Sequence, residues 1–180
     1  MEGHPELVVL RLGHRPGRDE RMTTHVGLTA RALGADRLVL AGEGASRRDT
    51  IEEVTDRFGG PFAVETTDEP GRVLGEWDES DGRIVHLTMY GLPVQEVETE
   101  IRETFADKPL LVVVGAEKVP FSVYQRADWN VAVTNQPHSE VASLAVVLDR
   151  LFEGTELDRE WDNADRVVVP EAEGKRVEET

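Results

Sequence analysis

Apolar and polar positions fall into short blocks whose period changes along the chain. Leu7 to Leu12 is an almost continuous apolar run, which predicts a buried strand. From Asp19 to Leu33 the apolar residues Met22, Val26, Ala30 and Leu33 recur at helical spacing, with Thr24, Gly27, Leu28 and Arg31 as the opposite stripe and Gly34 as the stop. The same reading predicts a strand at Arg37–Ala41 and a helix at Arg47–Phe58 with a Ser46/Asp49 capping box. Strands at Phe62–Glu65 and Arg83–Thr88 follow, separated by a long acidic loop from Thr66 to Gly82. A helix at Val94–Thr104, a strand at Leu110–Val114, a helical turn around Val123, a strand at Trp129–Val133 and a core helix at Ser139–Phe152 complete the pattern. Strands alternating with helices imply an α/β domain whose mostly parallel sheet is covered on both faces.

In such sheets ligands bind beyond the carboxyl ends of the strands. Three loops meet that condition: Leu87 to Gly91, Gly115 to Pro120, and Thr134 to Glu140. The last runs straight from Asn135, Gln136, Pro137 and His138 into an apolar helix. Its polar groups either cap that helix or hold a ligand against the unpaired N–H groups of the first turn. No loop carries a dinucleotide fingerprint or a Walker A sequence. A ligand with an adenosine moiety and no polyphosphate suits that absence, and S-adenosylmethionine is the candidate.

Composition narrows the classes. The 180 residues include no cysteine, which excludes disulfides and thiolate chemistry. The five histidines lie far apart and form no metal-gripping spacing, so no metal is expected. No apolar run approaches a membrane span and no signal pattern is present, so a cytoplasmic location is expected. The formal charge is −16, from 36 Asp and Glu against 17 Arg and three Lys. A lysine-poor acidic surface of this kind suggests a high-salt cytoplasm. There the Debye length falls to about 3 Å, and a global acidic field repels a polyanion weakly. One window opposes the trend: between Arg11 and Arg37, six arginines face Asp19, Glu20 and Asp36. That cluster is either a phosphate or RNA surface or a set of ordinary surface ion pairs.

Particular segments resemble a known family. His25 to Asp36 resembles the first motif of the SPOUT ribose methyltransferases, Val113 to Pro120 their second, and Asn135 to Ala145 their third. Together with Leu10 to Pro16, His86 to Gly91 and Asn130 to Val141, the set is similar to the archaeal tRNA cytidine-56 2′-O-methyltransferase family. The resemblance implies a SPOUT domain over residues 1–152 with a C-terminal trefoil knot at approximately 83–152, a homodimer, S-adenosylmethionine as methyl donor and tRNA as substrate. It places the donor on Leu87, on Gly115, Ala116, Glu117, Lys118 and Val119, and on Val133, Thr134, Asn135, Gln136, Pro137, His138, Ser139 and Glu140. It makes Arg31 the catalytic arginine, as phosphate anchor and orienter of the 2′-hydroxyl. Arg15, Arg18 and Arg21 become candidate tRNA contacts, and Tyr90 and Trp129 candidate stacking residues. Val141 stands near the place where the wider ribose-methyltransferase pattern has an asparagine, and Asn135 is the candidate substitute. Residues 153–180, with ten acids and four bases, form an acidic C-terminal extension with a strand expected at 166–170. Two other readings remain open: a SPOUT enzyme acting on another RNA nucleotide, and a non-catalytic module that binds an adenosine compound.

Overall fold

A computed structural model describes residues 4–116 and 118–180. The central strand β1 (Leu7–Leu12) is buried along its whole length, as a strand covered on both faces must be. Its alternation divides the core. Leu7 and Val9 point to one apolar cluster, and Val8, Leu10 and Leu12 to the other. The first face is covered by α1 (Glu20–Ala32), α2 (Arg48–Phe58), α4 (Val94–Phe105) and α6 (Glu140–Phe152), through Val26, Ile51, Ile101, Leu144 and Leu148. The second is covered by α3 (Pro70–Glu79) and α5 (Phe121–Arg126), through Leu74 and Val123. Each fully buried leucine or isoleucine contributes about 2 kcal/mol by removal from water.

The remaining strands of this sheet are β2 (Arg37–Ala41), β3 (Ala63–Thr67), β4 (Arg83–Pro93), β5 (Leu110–Gly115) and β6 (Trp129–Ala132). All six pair in parallel in the order β3-β2-β1-β5-β4-β6. The chain builds outward from β1 to β3, then crosses over to fill the other side. The carboxyl ends of β1, β5, β4 and β6 therefore lie side by side, and the loops expected to bind a ligand are neighbours.

Three sequence expectations need correction. The segment Thr66–Gly82 is no long loop, because it holds α3. Pro70 starts the helix, Val73, Leu74 and Trp77 pack on the second cluster, and the acids that suggested a loop form its solvated side. The Ser46/Asp49 capping box does not form. A 3₁₀ helix, Gly42–Arg47, precedes α2; Arg47 occupies the cap position, and Ser46 Oγ donates to the Glu43 carbonyl instead. Finally, the strand expected at 166–170 is β7 (Arg166–Val169), and it pairs with an unanticipated antiparallel strand, β8 (Arg176–Glu179).

The segment leading to that hairpin folds back on the domain. Gly60 N–H donates to the Asp162 carbonyl, and the Arg31 guanidinium lies 4.1 Å from the Trp161 ring. Just before it, the Glu156 side chain is buried beside Asp149, and among the described residues neither carboxyl oxygen has a hydrogen-bond partner of good geometry. Burial, helped by the nearby Asp149 charge, raises its pKa above the ordinary 4.5. A raised carboxyl pKa means the folded state holds the proton more tightly, so stability falls as pH rises from about 4.5 through the folded value. Glu156→Gln is expected to raise Tm at pH 7.5, by about 1 kcal/mol of stability, with the gain vanishing toward pH 4. Thermal melts at the two pH values check this, and an equal gain at both would refute it.

Candidate active site

The cleft begins with a register irregularity in the sheet. Leu87 of β4 pairs with Val131 of β6, and Leu92 pairs with the same residue, so the four residues between them are looped out at the strand's carboxyl end. This excursion places Thr88, Met89 and Tyr90 on the wall of a cavity of about 610 Å³. The β5–α5 loop supplies Gly115, Ala116, Lys118 and Val119, helix α5 supplies Phe121 and Tyr124, and the β6–α6 loop supplies Pro137, His138 and Glu140. Its size and its mixture of apolar wall and convergent polar groups suit a small molecule.

Eight residues expected at the donor site line this cavity: Leu87, Gly115, Ala116, Lys118, Val119, Pro137, His138 and Glu140. Glu117 lies outside the described residues. Val133, Thr134, Asn135, Gln136 and Ser139 do not line it, and most have a visible alternative task. Val133 packs against the first core cluster. Ser139 caps α6, its Oγ accepting from the Val141 N–H at 3.2 Å. The Gln136 carbonyl accepts from His138 Nδ1 at 2.7 Å. Asn135 Nδ2 donates to the carbonyls of Met89 and Gly91, at 2.8 and 3.1 Å, and so ties the third loop to the β4 excursion. Thr134 is exposed.

Two buried polar groups support the cleft: Arg11, which the residue pattern placed in the arginine cluster, and His86, to which it gave no task. Arg11, on the first face of β1, is completely buried; its Nη2 donates to Glu140 Oε1 at 2.9 Å, while Nε and Nη1 have no partner among the described residues. Burial pulls the guanidinium below its ordinary value, and Glu140 pulls it back up. His86, fully buried on β4, meets Asn130 Oδ1 through Nδ1 at 2.8 Å. Asn130 Nδ2 donates to the Tyr124 carbonyl, which fixes the amide so that Oδ1 is the acceptor and His86 Nδ1 the donor. His86 Nε2 is then a bare acceptor, buried and without a partner among the described residues, and burial lowers the imidazole pKa and favours its neutral form. Charged residues inside otherwise apolar strands were the available signal for both.

The arginine cluster read from the sequence does not form one surface. Arg11 and Arg31 are buried, and Arg37 bonds Glu6 and Glu65. Arg15 binds the Asp19 carboxylate through both Nε and Nη2, which holds Asp19 down at a pKa of about 2, and it also donates to the Ala116 carbonyl at 3.3 Å. Arg15 therefore sits beside the second cleft loop, with Arg18 and Arg21 exposed nearby. Arg31 lies elsewhere: its Nη2 donates to the Gly59 carbonyl at 2.6 Å, and it lines a second cavity with Trp161, Arg159 and Arg166. Within one chain it does not reach the cleft wall, because α1 carries it toward the C-terminal segment. Of the two candidate stacking residues, Tyr90 is exposed on the cleft wall, whereas Trp129 packs against the first core cluster. Among the described residues no group of three or more His, Cys, Asp or Glu could hold a metal ion, and no helix is long and apolar enough to cross a membrane.

Comparison with known proteins agrees with this geometry. The family model described as tRNA ribose 2′-O-methyltransferase, aTrm56, matches residues 58–178, which include all three cleft loops. The tRNA (cytidine(56)-2′-O)-methyltransferase of Haloarcula marismortui is 70% identical over 98% of this chain and 97% of its own. That of Natronomonas pharaonis is 67% identical over 99% and 97%. Among solved structures, the SpoU methyltransferase AviRb from Streptomyces viridochromogenes, in complex with the cofactor AdoMet, superposes with a TM-score of 0.56 at 16% identity, over 85% of this chain and 59% of that one. The fold is thus shared with the SpoU methyltransferases, and the chain belongs to the aTrm56 family of tRNA ribose 2′-O-methyltransferases.

Proposed function

We propose that this chain methylates the ribose 2′-hydroxyl of cytidine-56 in the T-loop of tRNA, in the cytoplasm, using S-adenosylmethionine. The observation that carries the reading is the three-loop cleft at the carboxyl ends of β4, β5 and β6, in a chain that matches relatives of that activity over nearly their whole length. The residues present fit the donor. Leu87, Met89 and Val119 offer apolar wall for a base, and Glu140 offers negative charge to a cationic ligand. When bound, S-adenosylmethionine supplies a methyl group activated by positively charged sulfur. The chain's own work is alignment and exclusion of water, because an in-line displacement gains most from holding its reacting atoms in place. Asn135 does this indirectly, by fixing two loops to each other.

The knot at approximately 83–152, the homodimer and the assignment of Arg31 as catalytic arginine belong to the same proposal. Because Arg31 lies away from the cleft of its own chain, its role requires the cleft of a second copy. Arg15, Arg18 and Arg21, beside the second cleft loop, are the proposed tRNA contacts.

The test is transfer of label from S-adenosylmethionine to an unmodified archaeal tRNA transcript in molar KCl, with product mapping and a cytidine-56 substitution as control. Label on that ribose, lost in the control, is the expected result. Label on another nucleotide would move the target, and binding of the donor without transfer would leave a non-catalytic adenosine-binding module.

A further inference from the structure

The methyl-transfer reading requires a group that takes the proton from the ribose hydroxyl, and the cleft wall narrows the choice. Among the described residues, the charged or titratable groups that face it are His86 and Tyr90 from β4, Lys118 from the β5–α5 loop, Tyr124 from α5, and His138 and Glu140 from the third loop and α6. A lysine ammonium has no lone pair to accept a proton, and a phenol oxygen is a far weaker base than an imidazole nitrogen. The Tyr124 hydroxyl is moreover paired with Thr88 Oγ1 at 3.0 Å. Glu140 is an acceptor, but one of its oxygens is already taken by the buried Arg11 guanidinium at 2.9 Å. His86 has a bare nitrogen but no solvent exposure, so a ribose hydroxyl cannot touch it.

His138 has both properties. Its side chain is exposed on the cleft wall. Its Nδ1 lies 2.7 Å from the Gln136 carbonyl, an oxygen that only accepts, so Nδ1 carries the hydrogen and Nε2 presents a lone pair. The loop thus fixes the tautomer that a general base needs, with a backbone carbonyl orienting the ring.

We propose that His138 is the catalytic base of this enzyme, accepting the ribose 2′-hydroxyl proton at Nε2. The inference rests on the reading of the cleft as a ribose methylation site. In the step, the O–H bond breaks and the proton moves to Nε2. The oxygen's electron pair forms the new O–CH₃ bond, and the S–CH₃ bonding pair stays on sulfur as the donor becomes a neutral thioether. The positive charge passes from sulfur to imidazolium, which releases its proton to solvent because the ring is exposed.

The experiment combines His138→Gln and His138→Ala with two readouts. In the ligand-free protein, long-range ¹⁵N–¹H spectra, assigned by the signals that His138→Gln removes, should show the Nδ1–H tautomer. The variants should unfold at the wild-type temperature, and turnover with tRNA is measured at saturating donor. They should lose roughly 10²- to 10⁴-fold in kcat, together with the limb of the kcat profile that rises with pH. Added imidazole should restore part of the His138→Ala rate. An Nε2–H tautomer, a variant with wild-type kcat, or a rate loss that leaves the rising limb intact would overturn the proposal. Wild-type protein inactive on the transcript would instead refute the methylation reading, and the tautomer measurement would still stand.

Discussion

Replacing Glu140 with alanine is expected to lower the unfolding temperature by roughly 6–12 °C, because it strands a charge that has nowhere else to go. Arg11 is fully buried and its single hydrogen bond among the described residues is to Glu140. Removing one member of such a pair costs about 3–5 kcal/mol, and Glu140, with its side chain 23% exposed, places this case near the lower figure. In a protein of this size each kcal/mol moves Tm by about 2–4 °C. Arg11→Met should cost much less, since it removes the buried charge itself. Adding Arg11→Met to Glu140→Ala should recover most of the loss. The effect should persist in molar KCl, where exposed pairs such as Arg72 with Glu76 contribute little, because a buried pair is weakly screened. Thermal melts of the three variants at low and high salt decide it. A Glu140→Ala shift below about 2 °C would show that the buried guanidinium is satisfied in some other way.

The second large effect is expected at Gly91, where the β4 excursion returns against β6. A β-carbon there would stand 2.3 Å from the Asn130 carbonyl oxygen, 2.4 Å from its carbonyl carbon and 2.5 Å from the Val131 nitrogen. All three are backbone atoms of the neighbouring strand, so no side chain can rotate away. Gly91→Ala should force β4 and β6 apart at the point where Leu92 pairs with Val131, costing about 3 kcal/mol or more. The Gly91 carbonyl also accepts from Asn135, so the damage passes to the cleft, and donor affinity should fall at least tenfold. Gly71→Ala is the matched control. It lies in α3, where a β-carbon would meet nothing within 4 Å, and the change should be neutral or slightly stabilising. Calorimetric titration with S-adenosylmethionine, alongside thermal melts, separates the two. Wild-type affinity in Gly91→Ala would mean that the excursion does not shape the site.

How far the site was legible in the chain varies residue by residue. The strand order was not readable, but the three loops that meet were, because a parallel sheet gathers its βα loops at one end whatever the order. Eight of the residues expected at the donor site line the cavity for that reason. The five that do not were in the right loop with the wrong direction, and direction is set by contacts made far along the chain. Asn135 turns to carbonyls 46 and 44 residues earlier in sequence, and Val133 turns to the core. His86 and Arg11 were hidden by the opposite problem: they stand in apolar strands, and only their partners, Asn130 and Glu140, distant in sequence, show why a polar side chain is tolerated there.

The sequence by itself determined the α/β class, most strands and helices, and the loops that carry the chemistry. These follow from local period and local hydrogen-bonding capacity, which every short segment carries within itself. Only the tertiary structure decided that the six arginines of the N-terminal third disperse into separate environments, that Arg31 is covered by Trp161, that residues 88–91 are squeezed out of the sheet, and that a carbonyl two residues away fixes the His138 tautomer. Each of these depends on which groups are desolvated together. Desolvation is a property of the packed whole, because the energy of a charge or a bare nitrogen is set by the atoms brought around it from elsewhere in the chain.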